Sequence, residues 1–374
     1  MKRFLFGALL LFLVTSSAVF YYSTRSDLVT TSSESAKIIT IPEQTTAIPL
    51  SEKIGQLFIV GHWAKTPVAS TTALIKNHHL GGVVIMSAPE DPNEIRAWVN
   101  AWQAVSPLPL IIAIDQEGGL VSRLRGPAFT TTSQREILTA EMAYQIGKER
   151  GNELATLGIN MNFAPVLEKA TTPSSFLYER VFADTEHSAT LAGALIQGMA
   201  TAGVTGVVKH FPGHPDTATD SHQELPQVPI TRGELDLFTA PFAELIKNNP
   251  PIALMTAHVQ FPEIDSAPAT LSSFFLSTYL RGTLGYNGLI ITDDMIMRAV
   301  TSEITSDVAT LKALSAGADV ILFAAEPEKV TIAISSIIAA VESGTLPLER
   351  IDDSYRRIKK FKSTLGTTTV TVLD

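Results

Sequence analysis

Cysteine is missing from all 374 residues. That excludes disulfides, a thiolate nucleophile, cysteine-ligated zinc and lipid attachment of the lipoprotein kind, and it leaves the redox compartment open. Charge is sparse as well. Asp, Glu, Lys and Arg make up 17% of the chain, and the balance is a net −9 with a pI near 5.4. The totals carry no basic footprint, so no nucleic-acid partner is expected. Low charge beside 45% hydrophobic side chains points to extensive burial rather than disorder, enough for one large core or two medium ones. No internal repeat is strong enough to name.

What is present begins with an address. Lys2 and Arg3 precede the apolar run from Phe4 to Val14, the n-region and h-region of a secretory signal. Ser16-Ser17-Ala18 suits a cleavage site, and the uncharged stretch continues through Tyr22, close to the roughly 20 residues that span a bilayer. Residues 1–22 read as a signal peptide or an uncleaved signal anchor, and the length favours the anchor. The Ser/Thr-rich residues 23–47 read as a flexible tether. The body, 48–374, is then expected to face outward from a membrane or to be secreted.

Within the body, short apolar runs alternate with longer helical patterns. The candidate strands are 55–60, 81–86, 108–115, 158–164, 204–210, 252–258, 288–293 and 319–323. Helical patterns cover 92–105, 133–157, 187–202, 231–247, 306–316 and 327–343, and Ser51-Glu52-Lys53 looks like a further helix start. Thr231 and Glu234 stand at the spacing of a capping box. Strands apolar on both faces and separated by helices predict a parallel sheet covered on both sides. Asp115, Asn162, His210, His258 and Asp293 each close a different candidate strand. In a barrel those ends converge on one mouth, whereas in an open sheet they would be strung along an edge. The reading is a single-domain (β/α)8 TIM-type barrel behind an N-terminal apolar segment and tether.

The densest chemistry lies in the loop after Val208, where Lys209-His210-Phe211-Pro212-Gly213-His214-Pro215-Asp216 runs on to Asp220-Ser221-His222. A loop after a buried barrel strand is rigidly based and wet, the usual place for catalysis. Three readings are open. His210, His214 and His222 with Asp216 or Asp220 reach the ligand count of a metal site, although no helical HxxxH or HExxH spacing supports it. The loop could be purely structural. The favoured reading is acid–base catalysis by an Asp–His pair, since Asp220 and His222 can share one side of an extended loop and a carboxylate fixes the imidazole tautomer.

Two further strand ends carry carboxylates. Thr292-Asp293-Asp294-Met295 places two in succession. Because neighbouring strand residues face opposite ways, Asp293 is the better inward group and Asp294 a cap for the following helix; a plain Asp-Asp helix start is the bland alternative. Asp115-Gln116-Glu117-Gly118-Gly119, followed by Arg123, offers a carboxylate and a guanidinium to a polar ligand around a glycine turn, or simply a structural salt bridge.

These segments together resemble the β-N-acetylhexosaminidase branch of glycoside hydrolase family 3. The Lys-His-Phe-Pro-Gly-His loop with its Asp-Ser-His end is the most specific part. Asp115–Gly119, Asn162–Val166, Ala257-His258-Val259, Pro268–Ser272, Thr292–Met295, Ala316–Asp319 and Arg350–Ser354 follow in the family's order, so the resemblance covers about residues 50 to 362. It implies that Asp293 is the nucleophile, His222 the general acid/base and Asp220 its dyad partner. Asp115, Arg123, Arg180, Lys209 and His210 would hold the non-reducing N-acetylglucosamine. Larger members use a C-terminal domain that can supply a glutamate acid/base; about 80 residues follow Asp293, too few for that domain, which favours His222. The chain departs from the pattern at Pro215, where the family has glycine, at Leu120, where arginine is common, and in the loose stretch Glu179–Ala183 around Arg180.

The resemblance therefore implies retaining hydrolysis of terminal β-linked N-acetylglucosamine from peptidoglycan fragments or chitooligosaccharides. It implies no metal and no cofactor and a carbohydrate as the partner; the N-terminal run adds membrane contact if it is retained, and a monomer is expected. A phosphorylase, a β-glucosidase or β-xylosidase on the same barrel, and a non-catalytic wall-binding protein are the alternatives.

Overall fold

A computed structural model describes residues 48–214, 216, 224–248 and 253–365. The N-terminal segment and tether, Pro215, Asp220 and His222 lie outside the described residues. Those described, from Ile48 on, belong to one compact unit, and among them no helix is long and apolar enough to cross a membrane.

Eight parallel strands close a barrel: β1 (Phe58–His62), β2 (Gly82–Ile85), β3 (Ile111–Ile114), β4 (Met161–Asn162), β5 (Thr205–Phe211), β6 (Ala253–Thr256), β7 (Leu289–Asp294) and β8 (Val320–Phe323). Each pairs with the next in sequence, and β8 closes on β1 through Phe58 and Ile321. Runs such as Ile111-Ile112-Ala113-Ile114 are wholly buried, as they must be with side chains filling the barrel on one face and helices covering the other. The expected (β/α)8 architecture is the architecture found.

Boundaries differ from the sequence reading in instructive places. Gly55 ends a helix, Leu50–Gly55, rather than opening β1. A Cβ there would stand 1.8 Å from the His78 carbonyl oxygen, so two backbone segments meet where only glycine fits. The pattern at 133–157 divides into a single turn, Gln134–Glu136, and the helix Ala140–Thr156, whose cap is Thr139 accepting from the Met142 N–H at 3.1 Å. The capping box at Thr231 forms: Glu234 accepts from both the amide and the hydroxyl of Thr231 at 2.8 Å.

At the N-terminal end of the barrel Asp319 is fully buried beneath β8. It accepts from Arg281 at 2.5 Å, Arg357 at 2.9 Å, Ser354 at 3.0 Å and the Ile290 N–H at 3.1 Å. One carboxylate thereby ties β7, the helix Phe274–Thr283 and the last helix, Leu348–Lys362, to the base of the barrel.

Candidate active site

Past the end of β3 the chain makes a tight hairpin, Gln116–Gly118 against Val121–Ser122. Gly118 and Gly119 turn it with φ of 93° and 58°, and a Cβ on Gly118 would lie 2.0 Å from the Thr132 carbonyl oxygen. That turn aims Asp115 and Glu117 at the mouth. Lys209, from β5, donates to Asp115 at 2.9 Å and pairs with Glu117 at 2.6 Å. Arg180 grips Glu117 with two bonds, 2.9 and 2.8 Å, and Arg123 donates to Asp115 at 3.1 Å. The structural salt bridge between Asp115 and Arg123 is thus real, and it belongs to a chain of five charges running Arg123, Asp115, Lys209, Glu117, Arg180.

Burial alone would raise both carboxyls and lower the lysine. The pairing overrides it. Lys209 and Arg123 hold Asp115 below the usual range, Arg180 and Lys209 hold Glu117 down at about 2, and Asp115 and Glu117 raise Lys209. Asp115, Glu117 and Lys209 therefore stay charged. Donors remain over for a ligand: an ammonium has three N–H groups and Lys209 has two carboxylate partners among the described residues, while the buried Arg123 Nε has no partner among them. A buried donor without an acceptor is costly unless something fills the place.

Beside this chain, Glu168 takes three donors: the His210 amide at 3.0 Å, His210 Nδ1 at 3.0 Å and His214 Nδ1 at 2.6 Å. Burial alone would raise its carboxyl, but the two histidines outweigh burial and keep it well below the ordinary value. With Nδ1–H committed to Glu168, a neutral His210 keeps Nε2 as an acceptor. Glu168, His210 and His214 are also the described residues that could hold a metal ion. Asp216, considered above as a ligand, is elsewhere: its Oδ2 accepts from the amides and hydroxyls of Thr171 and Thr172 at 2.8–3.0 Å.

β7 ends on Asp293 and Asp294, both half-buried. Pairing with β8 slips between Ile291 and Asp294, and this irregularity brings both carboxylates to the mouth where strict alternation would turn one away. Asp293 Oδ1 accepts the Asp294 N–H at 2.7 Å. Asp294 does not cap a helix as expected. Its Oδ1 holds the Ile296 amide at 3.2 Å and the Ala324 amide at 2.9 Å, and its carbonyl accepts from His258 Nε2 at 3.0 Å. Burial, with the neighbouring Asp293, pushes Asp294 up to about 6. Asn162 is a clamp rather than a ligand-facing group, bonding both the amide and the carbonyl of Gln116 at 2.9 Å.

One cavity of about 340 Å³ gathers Asp115, Arg123, Arg180, Lys209, His210 and Asp293, every expected site residue within the described part. Glu117, His214 and Asp294 line it too, with Glu168 behind the two histidines; of these four, the sequence offered His214 only as a possible metal ligand and Asp294 only as a helix cap, and gave Glu117 and Glu168 no role. Glu117 was within reach, because residues two apart on an extended segment share a face. Glu168 had no such signal, its partners being 42 and 46 residues away.

Comparison with known proteins finds its similarities among glycoside hydrolases. The sequence model "Glycosyl hydrolase family 3 N terminal domain" matches residues 49–361. Beta-hexosaminidase A of Pseudoalteromonas piscicida is 33% identical over 332 residues, covering 78% of this chain and 54% of that protein, so the chain spans about half of its length. Beta-hexosaminidase LpqI of Mycobacterium tuberculosis is 31% identical over 326 residues, 83% of this chain and 82% of the other. The solved structure of a glycoside hydrolase family 3 beta-N-acetylglucosaminidase from Paenibacillus superposes with a TM-score of 0.78 at 37% identity, over 85% of this chain and 63% of that one.

Proposed function

The chain belongs to glycosyl hydrolase family 3, and on that premise we propose that it removes terminal, non-reducing β-linked N-acetylglucosamine with retention of configuration. Asp293 attacks the anomeric carbon and forms a glycosyl-enzyme while His222 protonates the departing oxygen. His222 then deprotonates the water that releases the sugar, leaving Asp293 free again. An imidazole suits both halves because its ordinary pKa of about 6.5 keeps both protonation states accessible near neutrality. Asp220 orients that ring and favours its charged form.

The observation that carries the reading is the buried charge chain of Asp115, Lys209, Glu117 and Arg180, with Arg123, lining the same cavity as Asp293. Such fixed, ionised donors and acceptors suit the hydroxyls and amide of a sugar and hold it without reorganising. The relatives named as beta-hexosaminidases, and the beta-N-acetylglucosaminidase of known structure, support N-acetylglucosamine as that sugar. No metal or organic cofactor enters the chemistry. Peptidoglycan fragments or chitooligosaccharides are the substrates that an outward-facing protein would meet.

The test is turnover of a chromogenic β-N-acetylglucosaminide beside the β-glucoside, with and without phosphate, following the first-formed anomer by NMR. The proposal expects N-acetylglucosamine released as the β-anomer, little action on the glucoside and no sugar phosphate. Release of the α-anomer or formation of a sugar phosphate would refute it, and preference for the glucoside would reassign the substrate.

A further inference from the structure

The walls of the mouth differ in chemistry. Lys209 and His210 come from β5, and β1 lies diametrically across the ring of eight strands. On the β1 side the lining is apolar, with Trp63, Leu322 and Ala324. Trp63 is 41% exposed there, while Trp98 and Trp102 are buried. An indole that lines the cavity and is partly open to water is placed to meet a ligand there.

The ring is also held. Its Nε1–H donates to the Ala324 carbonyl oxygen at 3.2 Å, and the Ala324 amide donates to Asp294 Oδ1 at 2.9 Å. Ala324 lies directly on β1, since a Cβ on Gly61 would fall 1.9 Å from its carbonyl oxygen. One alanine thus fixes the indole relative to the carboxylate next to Asp293. A platform so fixed keeps its place when a substrate arrives.

We propose that Trp63 is the platform of a leaving-group subsite, on which the second ring of a β-linked oligosaccharide lies with its C–H face against the indole. The inference rests on the glycosidase reading above and concerns what that reading leaves open, the substrate beyond the scissile bond. In β-linked N-acetylglucosamine the ring substituents are equatorial. Both ring faces therefore present C–H groups to a flat π surface, while the hydroxyls at the edge stay in water. The charge chain takes the sugar whose bond is broken, and the apolar wall takes the next one.

Two measurements on the full-length protein test this. The first compares kcat/KM for diacetylchitobiose with that for β-N-acetylglucosaminyl fluoride, whose leaving group has no ring. Trp63→Ala should lose roughly tenfold on the disaccharide and stay near wild type on the fluoride. Trp63→Phe, which keeps a ring face but not the bond to Ala324, should recover most of the loss. The second uses the Asp293→Ala protein, which holds substrate without turning it over. Of the three tryptophans only Trp63 is exposed, so acrylamide quenching reports on it, and the disaccharide should shield it more than N-acetylglucosamine does. Equal losses on both substrates, or no added shielding, overturns the subsite. Shielding by the disaccharide in a protein whose wild type hydrolyses neither substrate would overturn the glycosidase reading and leave the subsite standing.

Discussion

Glu117 is buried and yet ionised, because Arg180 and Lys209 stabilise its charge by more than burial costs it. That balance has a pH signature. A carboxyl held at about 2 against an ordinary 4.5 contributes its full stability above about pH 4.5 and loses it as the pH falls toward 2. The displacement is worth at most about 3 kcal/mol. Wild type should therefore be clearly more stable than Glu117→Gln at pH 7, and the difference in denaturation midpoint should shrink steadily between pH 4.5 and 2. A constant difference across that range would mean that Glu117 is not held ionised by its partners. At this scale the sequence was readable where chemistry sits on one local segment. Asp115 and Asp293 were identifiable as strand ends, whereas Glu168 was not, because its role depends on two histidines brought to it by β5 and the turn that follows.

Among the elements, the base of the barrel is tied together through Asp319. Replacing Asp319 by Ala leaves Arg281, Arg350 and Arg357 facing one another without their shared carboxylate. Breaking a buried ion network in this way costs about 3–5 kcal/mol. Asp319→Ala should show that loss in denaturant unfolding while activity at low temperature persists, since the substitution lies at the opposite end of the barrel from the mouth. A loss below about 1 kcal/mol would show the network to be dispensable. The register slip in β7 belongs to this scale too. Alternation along a strand is a sound rule and separates Asp293 from Asp294. It failed here because pairing with β8 is irregular between Ile291 and Asp294, which no residue type in Ile290–Met295 announces. The helix Val68–His78 also escaped notice, having only Thr71 and Ile75 buried and hence no clear apolar stripe.

For the molecule as a whole, the barrel was legible because eight apolar runs alternate with helical patterns, and five of those runs close on polar residues whose ends only a closed ring brings together. The structure places Asp115, His210 and Asp293 around one cavity, with β3 opposite β7, so that Asp115 and Asp293 stand on facing walls, while Asn162 and His258 brace the backbone beside it. The central claim is that Asp293 becomes covalently glycosylated. It is tested most directly by inactivating the protein with a 5-fluoro N-acetylglucosaminyl donor and mapping the added mass by peptide sequencing in the mass spectrometer. The account predicts one sugar on Asp293, none on Asp294, and no labelling of the Asp293→Ala protein. Label on Asp294 or Asp115, or undiminished labelling of the Asp293→Ala protein, would contradict it.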